Sequence, residues 1–136
     1  MAKRTYASDC PYNCMVELTL DVIGGKWKGV LLFHLLGGRK RFNELRRLLP
    51  DVTQRMLTLQ LRELEEDGLI NRTVYAQVPP KVEYSLTKFG ETLQPLLLLM
   101  KDWGQEYADK VMEFKTAARK PIPNHEHTAL EVEKAG

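Results

Sequence analysis

Cysteine is scarce in this chain: Cys10 and Cys14 are the two it has. They are too few and too close together to staple a domain, which excludes a disulfide scaffold. No apolar run approaches the roughly 20 residues that a membrane span needs. The opening MAKRTYASDC has none of the apolar centre of a secretory signal. A cytoplasmic protein with no membrane partner is therefore expected. Equally missing are a Gly-rich phosphate loop, a carboxylate dyad in a polar setting, and a paired Cys and His at metal spacing. These absences argue against an enzyme, and no cofactor or metal is expected. His34 is the lone histidine among apolar neighbours and reads as a core or edge residue rather than a ligand. His125-Glu126-His127 could hold a metal weakly, but in a polar tail without fixed geometry it is treated as incidental.

The 136 residues suit one domain, and 43% hydrophobic content can build a real core. The net charge of +2 is small, but it is unevenly spread. From Arg39 to Arg62, seven cations (Arg39, Lys40, Arg41, Arg46, Arg47, Arg55, Arg62) face two acids (Glu44, Asp51), a local excess of five. The next five residues, Glu63 to Asp67, add four acids and no base. Such local clustering, rather than total charge, is the electrostatic footprint of a polyanion partner.

The organising stretch is DVTQRMLTLQLRELEEDG, Asp51 to Gly68. Thr53 can cap a helix and Gly68 can end it in a left-handed turn. At 100° per residue, Leu57, Leu61 and Leu64 share one side, flanked by Met56. Arg55, Thr58, Leu59 and Arg62 share the other. A surface helix normally hides its leucines, so Leu59 among arginines calls for a different partner. A methyl-bearing side chain there suits a groove floor, where it can meet a thymine methyl. An ordinary surface helix with solvated arginines also fits this stretch taken alone.

Upstream, residues 1–13 read as a loosely held arm. Met15 to Ile23 is a short helix with Val16, Leu20 and Ile23 at helical spacing, stopped by Gly24-Gly25. Lys26 to Leu36 is a second, mostly buried helix, with Trp27, Val30, Leu31 and His34 lining one side. After the basic segment Arg39-Lys40-Arg41, Phe42 to Leu49 forms a third helix with Phe42, Leu45 and Leu48/Leu49 inward, ended by Pro50. Two helices joined by a turn of a few residues, the second with a basic outer face, make a helix-turn-helix pattern. Beyond Gly68 the period changes to two. Leu69–Tyr75 and Val82–Leu86 alternate on either side of Pro79-Pro80, which predicts a hairpin, or wing. Its Arg72 and Lys81 could reach phosphate or the minor groove, Lys81 the better placed because it sits at the tip. A plain structural hairpin covering the core remains the alternative. Thr87 then caps a long helix from Lys88 to about Lys115. Phe89, Leu93, Leu96/Leu97, Met100, Trp103, Tyr107, Val111 and Phe114 mark its inner stripe, while Leu98 and Leu99 lie off it. A helix apolar around most of its circumference needs burial on two sides, and a second copy about a two-fold axis is the simplest cover. A helix wedged under the chain's own first helix is the other arrangement. Residues 116–136 are polar and read as a frayed tail.

The assembled segments resemble the HxlR family of bacterial transcription regulators, winged-helix proteins of MarR-like architecture. The resemblance is carried by VELTLDVIGGKWK (16–28), RFNELRRLL (41–49), TQRMLTLQLRELEEDG (53–68) and VPPKVEYSLT (78–87), and continues from Gly90 to Trp103. It covers roughly residues 14–107, and the GGKWK and VPPKVEYSLT strings are its specific parts. The fold it implies is α+β, mainly α: a winged helix-turn-helix over residues 14–115 with a long C-terminal dimerisation helix. It further implies a homodimer on double-stranded DNA, in contact with the helix 53–67, but does not give the operator. The two-fold symmetry of a dimer is what leads to the expectation of a pseudo-palindromic one. The DNA face would comprise Arg39, Lys40, Arg41, Arg46, Arg47, Thr53, Gln54, Arg55, Thr58, Leu59, Arg62, Arg72 and Lys81. The dimer seam would comprise Val16, Leu20, Leu96, Leu98, Leu99, Met100, Trp103 and Tyr107. Family members commonly carry a Cys-Pro pair just before the VE pair. Here Cys14 holds the cysteine position but Met15 follows it, and the Cys-Pro pair is Cys10-Pro11. In several members that cysteine senses oxidants or electrophiles, which makes Cys14 a sensor candidate and Cys10 a second thiol for it. A helix start also favours a thiolate through its dipole. A small buried hydrophobe is the plain reading of the same residue. A winged helix that binds protein and no DNA is the competing function, and the excess of positive charge from Arg39 to Arg62 speaks against it.

Overall fold

The computed structural model describes residues 12–119. Cys10, most of the expected arm and tail, and His125-Glu126-His127 lie outside the described residues. The described elements are α1 (Met15–Ile23), α2 (Lys28–Leu35), β1 (Lys40–Arg41), α3 (Phe42–Leu48), α4 (Gln54–Glu66), β2 (Ile70–Tyr75), β3 (Lys81–Leu86), α5 (Lys88–Glu91) and α6 (Gln94–Ala118). The architecture is the α+β, mainly helical one that the periodicities predict: a helix-turn-helix, a hairpin wing and a long C-terminal helix.

The core is built on α4. Thr53 caps it, its hydroxyl accepting the Met56 N–H at 3.0 Å. A cap of this kind contributes about 1 kcal/mol. Leu57, Leu61 and Leu64 are fully buried on the face that meets α2 and β2. Burial of each stabilises the fold by about 1.5–3 kcal/mol. Leu31, Leu32 and Leu35 of α2, Leu45 and Leu49 around α3, Ile70 of β2 and Tyr84 of β3 close the same cluster. Lys28 and Glu63 tie α2 to α4 through an ion pair of 2.8 Å. Gly68 takes φ +78° just past α4, the left-handed turn that releases the chain into β2. Val30 and Leu48, expected inward, are exposed instead. On helices as short as 8 and 7 residues, spacing alone does not tell which of the apolar positions face the core.

The sheet is antiparallel with strand order β1-β3-β2. In the wing, Ile70 pairs with Leu86 and Tyr75 with Lys81. On the other side of β3, Lys40 pairs with Tyr84 and Arg41 with Glu83. Two residues of strand carry no readable alternation, so the basic segment before α3 gave no sign that it was sheet.

The long helix expected from Lys88 is broken. Thr87 caps the single turn α5, accepting the Gly90 N–H at 2.8 Å and donating to the Gly68 carbonyl at 2.7 Å. Gly90 lies so close to the Leu69 carbonyl that any Cβ there would collide with it. The chain then turns at Thr92-Leu93 and restarts as α6, with Pro95 in the first turn. Proline has no N–H for a continuous helix and clashes with the carbonyl four residues back, but a first turn requires neither of what it lacks. Leu97 is buried in the core, and Leu93 and Leu96 pack against it. Leu96, expected at the dimer seam, is partly buried against this core.

The chain divides into two compact units after Leu98. In the second, the helix continues to Ala118 with one non-helical residue, Tyr107. The rings of Trp103 and Tyr107 meet there at 5.2 Å. Met100, Trp103, Tyr107 and Phe114, expected on an inner stripe, are exposed, as are Leu98 and Leu99.

Candidate nucleic-acid interface

The residues proposed to meet DNA lie on α3, α4, the wing and the connection from α2 to α3, all within the first unit. Arg55, Thr58, Leu59 and Arg62 are exposed on α4, opposite the buried leucines. With Thr53, Gln54 and Met56 they line an open hollow of about 670 Å³. Arg55 and Arg62 have no ion pair or side-chain hydrogen bond to other described residues, so both guanidinium forks are available. Arg62 and Thr58 also line a second hollow, of about 560 Å³, where Arg72 of β2 faces them across the gap from helix to wing. Phe42, Val82 and Tyr84 give it an apolar wall, and Glu65 puts one acid into it.

Other side chains of the set are already engaged. The Thr53 hydroxyl serves as the cap, and that of Thr58 donates to the Gln54 carbonyl at 2.9 Å. The Thr53 hydroxyl therefore keeps its O–H to donate, whereas that of Thr58 is left chiefly as an acceptor. Arg46 of α3 reaches the Gln54 amide oxygen at 3.4 Å, linking the two helices of the motif. Arg41 is the N-cap of α3, where its N–H donates to the Glu44 carboxylate at 2.7 Å. Lys81 was expected at the hairpin tip. It is instead the first residue of β3, partly buried, paired with Glu83 at 3.6 Å and seated 4.6 Å from the centre of the Tyr75 ring. Arg39 joins the same carboxylate at 3.3 Å. Glu83 and Tyr75 were not foreseen. They sit on facing strands, and only the register brings them to these cations.

Two carboxyl and imidazole environments stand out. Burial pushes the Glu83 carboxyl up, but hydrogen bonds from Tyr75 and Arg39 and the charges of Lys81 and Arg39 outweigh it and leave it below the ordinary value of 4.5. His34 is held below its ordinary 6.5 by burial first and by the nearby Lys40 charge second. Its ring meets Phe33 edge-on at 5.9 Å. Among the described residues no group of three His, Cys, Asp or Glu side chains could hold a metal, and no helix is long and apolar enough to cross a membrane. Cys14 is exposed at the N-cap of α1 and free. Val16 and Leu20 are exposed on the helix that it starts.

A short helix, a tight turn, a second helix with a free basic face and a hairpin beside it together define a winged helix-turn-helix regulator. The chain belongs to the HxlR-like helix-turn-helix family, whose pattern it matches over residues 22–112. It is similar to YdeP of Bacillus subtilis (strain 168), an uncharacterized HTH-type transcriptional regulator, at 66% identity over 85% of this chain and 89% of that one. Among solved structures, it is similar to the redox regulator HypR in its reduced form, at 64% identity and TM-score 0.71 over 74% of this chain and 99% of that one. The oxidized form of HypR gives 69% identity and TM-score 0.67, over 68% and 96% of the two chains. The reduced form of the regulator YodB of B. subtilis gives 34% identity and TM-score 0.61, over 72% and 93%. The protein is a helix-turn-helix transcriptional regulator and not an enzyme.

Because folding lowers the proton affinity of His34, the unfolded chain binds the proton more readily. Stability should therefore fall as pH drops through 6.5 toward the lowered folded value. Glu83 acts in the same direction, but only below 4.5. Urea unfolding between pH 7.5 and 5.5 should show the His34 part in wild type and lose it in His34→Gln. An identical slope in both proteins would assign the effect elsewhere.

Proposed function

We propose that this regulator acts as a homodimer that binds duplex DNA sequence-specifically, and that Cys14 makes the binding responsive to thiol-reactive compounds. The winged helix-turn-helix domain, with its dimerisation helices, would span residues 14–115, and a pseudo-palindromic operator would match the two-fold symmetry of the dimer. A duplex-DNA partner also favours the cytoplasm. The observation that carries the reading is the outer face of α4, where free Arg55 and Arg62 flank an exposed Leu59. Guanidinium forks match the acceptor pairs of guanine, and a leucine matches the methyl of thymine. Arg47 on α3 and Arg72 on the wing are both exposed, and in this reading they would contact phosphates.

Arg55→Ala should weaken binding to a selected duplex more than to random duplex, by on the order of 1–3 kcal/mol. Arg47→Ala should weaken both alike and flatten the salt dependence by about one phosphate contact. Fluorescence anisotropy across a salt series reads both. Equal losses on both duplexes for both variants would overturn this division, and binding without a salt slope would favour a protein partner.

Dimerisation is supported by apolar side chains that the single chain leaves uncovered: Val16 and Leu20 on α1, and Leu98, Leu99, Met100, Trp103 and Tyr107 on α6. Wild type should sediment as a dimer at micromolar concentration. Leu99→Glu should give monomers or aggregates, since it buries an unpaired charge at the seam. A variant that remains dimeric with unchanged melting would exclude α6 as the interface.

The thiol response is supported by the place of Cys14 at the start of α1 and by the relatives solved in reduced, oxidized and diamide-treated forms. Two thiols would give one disulfide while diamide accepts their two electrons. A cross-link or adduct beside the seam would shift the two α4 helices relative to each other, and they must match grooves about one DNA turn apart. In a titration with diamide, Cys14→Ser should bind DNA normally and lose the response, with Cys10→Ser reporting on the second thiol. Wild-type binding that is equal before and after full modification would reduce Cys14 to a packing residue.

A further inference from the structure

Four side chains meet where the wing joins its tip. Arg39 comes from the connection between α2 and β1, Tyr75 ends β2, Lys81 opens β3, and Glu83 follows two residues on. Lys81 and Glu83 point to the same face of the strand, since they are two apart. The Arg39 guanidinium lies 3.3 Å from one oxygen of the Glu83 carboxylate and donates to the Tyr75 hydroxyl at 3.0 Å. The Lys81 ammonium lies 3.6 Å from the other oxygen and over the Tyr75 ring. The Tyr75 hydroxyl and the Glu83 carboxylate share one guanidinium nitrogen of Arg39. Two cations thus share one carboxylate, whose side chain is only 15% exposed.

Stability gives a weak reason for this arrangement. Ion pairs with an exposed partner contribute little, and Arg39 is 55% exposed. Against a polyanion, moreover, the carboxylate is a cost: two cations and one acid leave a single net positive charge where two would attract phosphate more strongly. Freed from Glu83, both side chains could follow any phosphate within reach. Tied to it, they form one rigid group whose place relative to α4 is set by the β1-β3-β2 ladder. A rigid group rewards the duplex geometry that α4 also fits and rewards arbitrary duplex less.

We infer that Glu83 is a specificity-determining positioning residue, which holds Arg39 and Lys81 in one orientation and restrains the wing's attraction to DNA of arbitrary sequence. This rests on the DNA-binding reading above. The test compares the full-length wild type, Glu83→Gln and Tyr75→Phe on two probes: a duplex selected from a random pool by the wild type, and a scrambled duplex of equal composition. Glu83→Gln keeps an acceptor for Arg39 and removes the charge. It should bind the scrambled duplex about three- to tenfold more tightly near 0.1 M salt, with a log–log salt slope steeper by about one. Its affinity for the selected duplex should rise less, so that the ratio of the two affinities falls. Tyr75→Phe frees Arg39 from its hydroxyl partner but keeps the acid, and should move the ratio the same way by a smaller factor. It also decides the matter should Glu83→Gln fail to fold. Unchanged slope and ratio in the folded variants, or weaker binding to the scrambled duplex, would overturn the inference. A wild type with no salt-dependent affinity for either probe would instead overturn the DNA-binding reading itself.

Discussion

Everything in the first unit depends on three leucines of one helix. Leu57, Leu61 and Leu64 fix α4 by its inner face against α2 and β2. Because that face is committed, the opposite one has no choice but to point outward, and Arg55, Leu59 and Arg62 go with it. Core and interface are therefore one decision read on two sides of a helix of 13 residues. A change that rotated α4 to improve its packing would turn its arginines away from any groove. The Thr53 cap and the left-handed Gly68 set the two ends, so the helix can neither slide nor lengthen into the wing.

The wing is held to this helix by covalent continuity and by the carbonyls around Gly68 and Leu69. Thr87 binds the Gly68 carbonyl, and Gly90 gives the Leu69 carbonyl room that no other residue would leave. The same short region thus ends α4, begins β2 and seats the start of α5. That economy keeps Arg72 on the wing opposite Arg62 on the helix, with one hollow between them. The cations of the candidate interface fall into two kinds as a result. Arg55, Arg62 and Arg72 have no partner among the described residues, whereas Arg39 and Lys81 are already organised around Glu83.

Two helices keep apolar surfaces that the other described residues leave exposed. On α1 these are Val16 and Leu20, beside the free thiol of Cys14; on α6 they are Leu99, Trp103 and their neighbours. Apolar side chains of this size left in water are costly one by one, and the proposed dimer would cover them. In the proposed thiol response, Cys14 would report its chemistry to that seam from the start of α1.

The amino-acid order by itself determined whatever follows from local periodicity and backbone chemistry. The buried and exposed faces of α4, its cap and stop, the two wing strands and the basic stretch from Arg39 to Arg62 were all legible, because each depends on residues within a few positions of one another. What it could not show arises between segments distant in sequence. The two-residue strand β1 has no period of its own and exists because β3 is there to pair with it. The break at Thr92-Leu93 was written in Pro95, but the apolar run across it concealed the signal. Above all, the sharing of Glu83 by Arg39 and Lys81 joins residues 44 apart. A side chain's neighbours across a sheet are set by strand register, and a shift of one residue would have turned Glu83 to the other face. Only the tertiary structure could decide which of the basic residues are free and which are held.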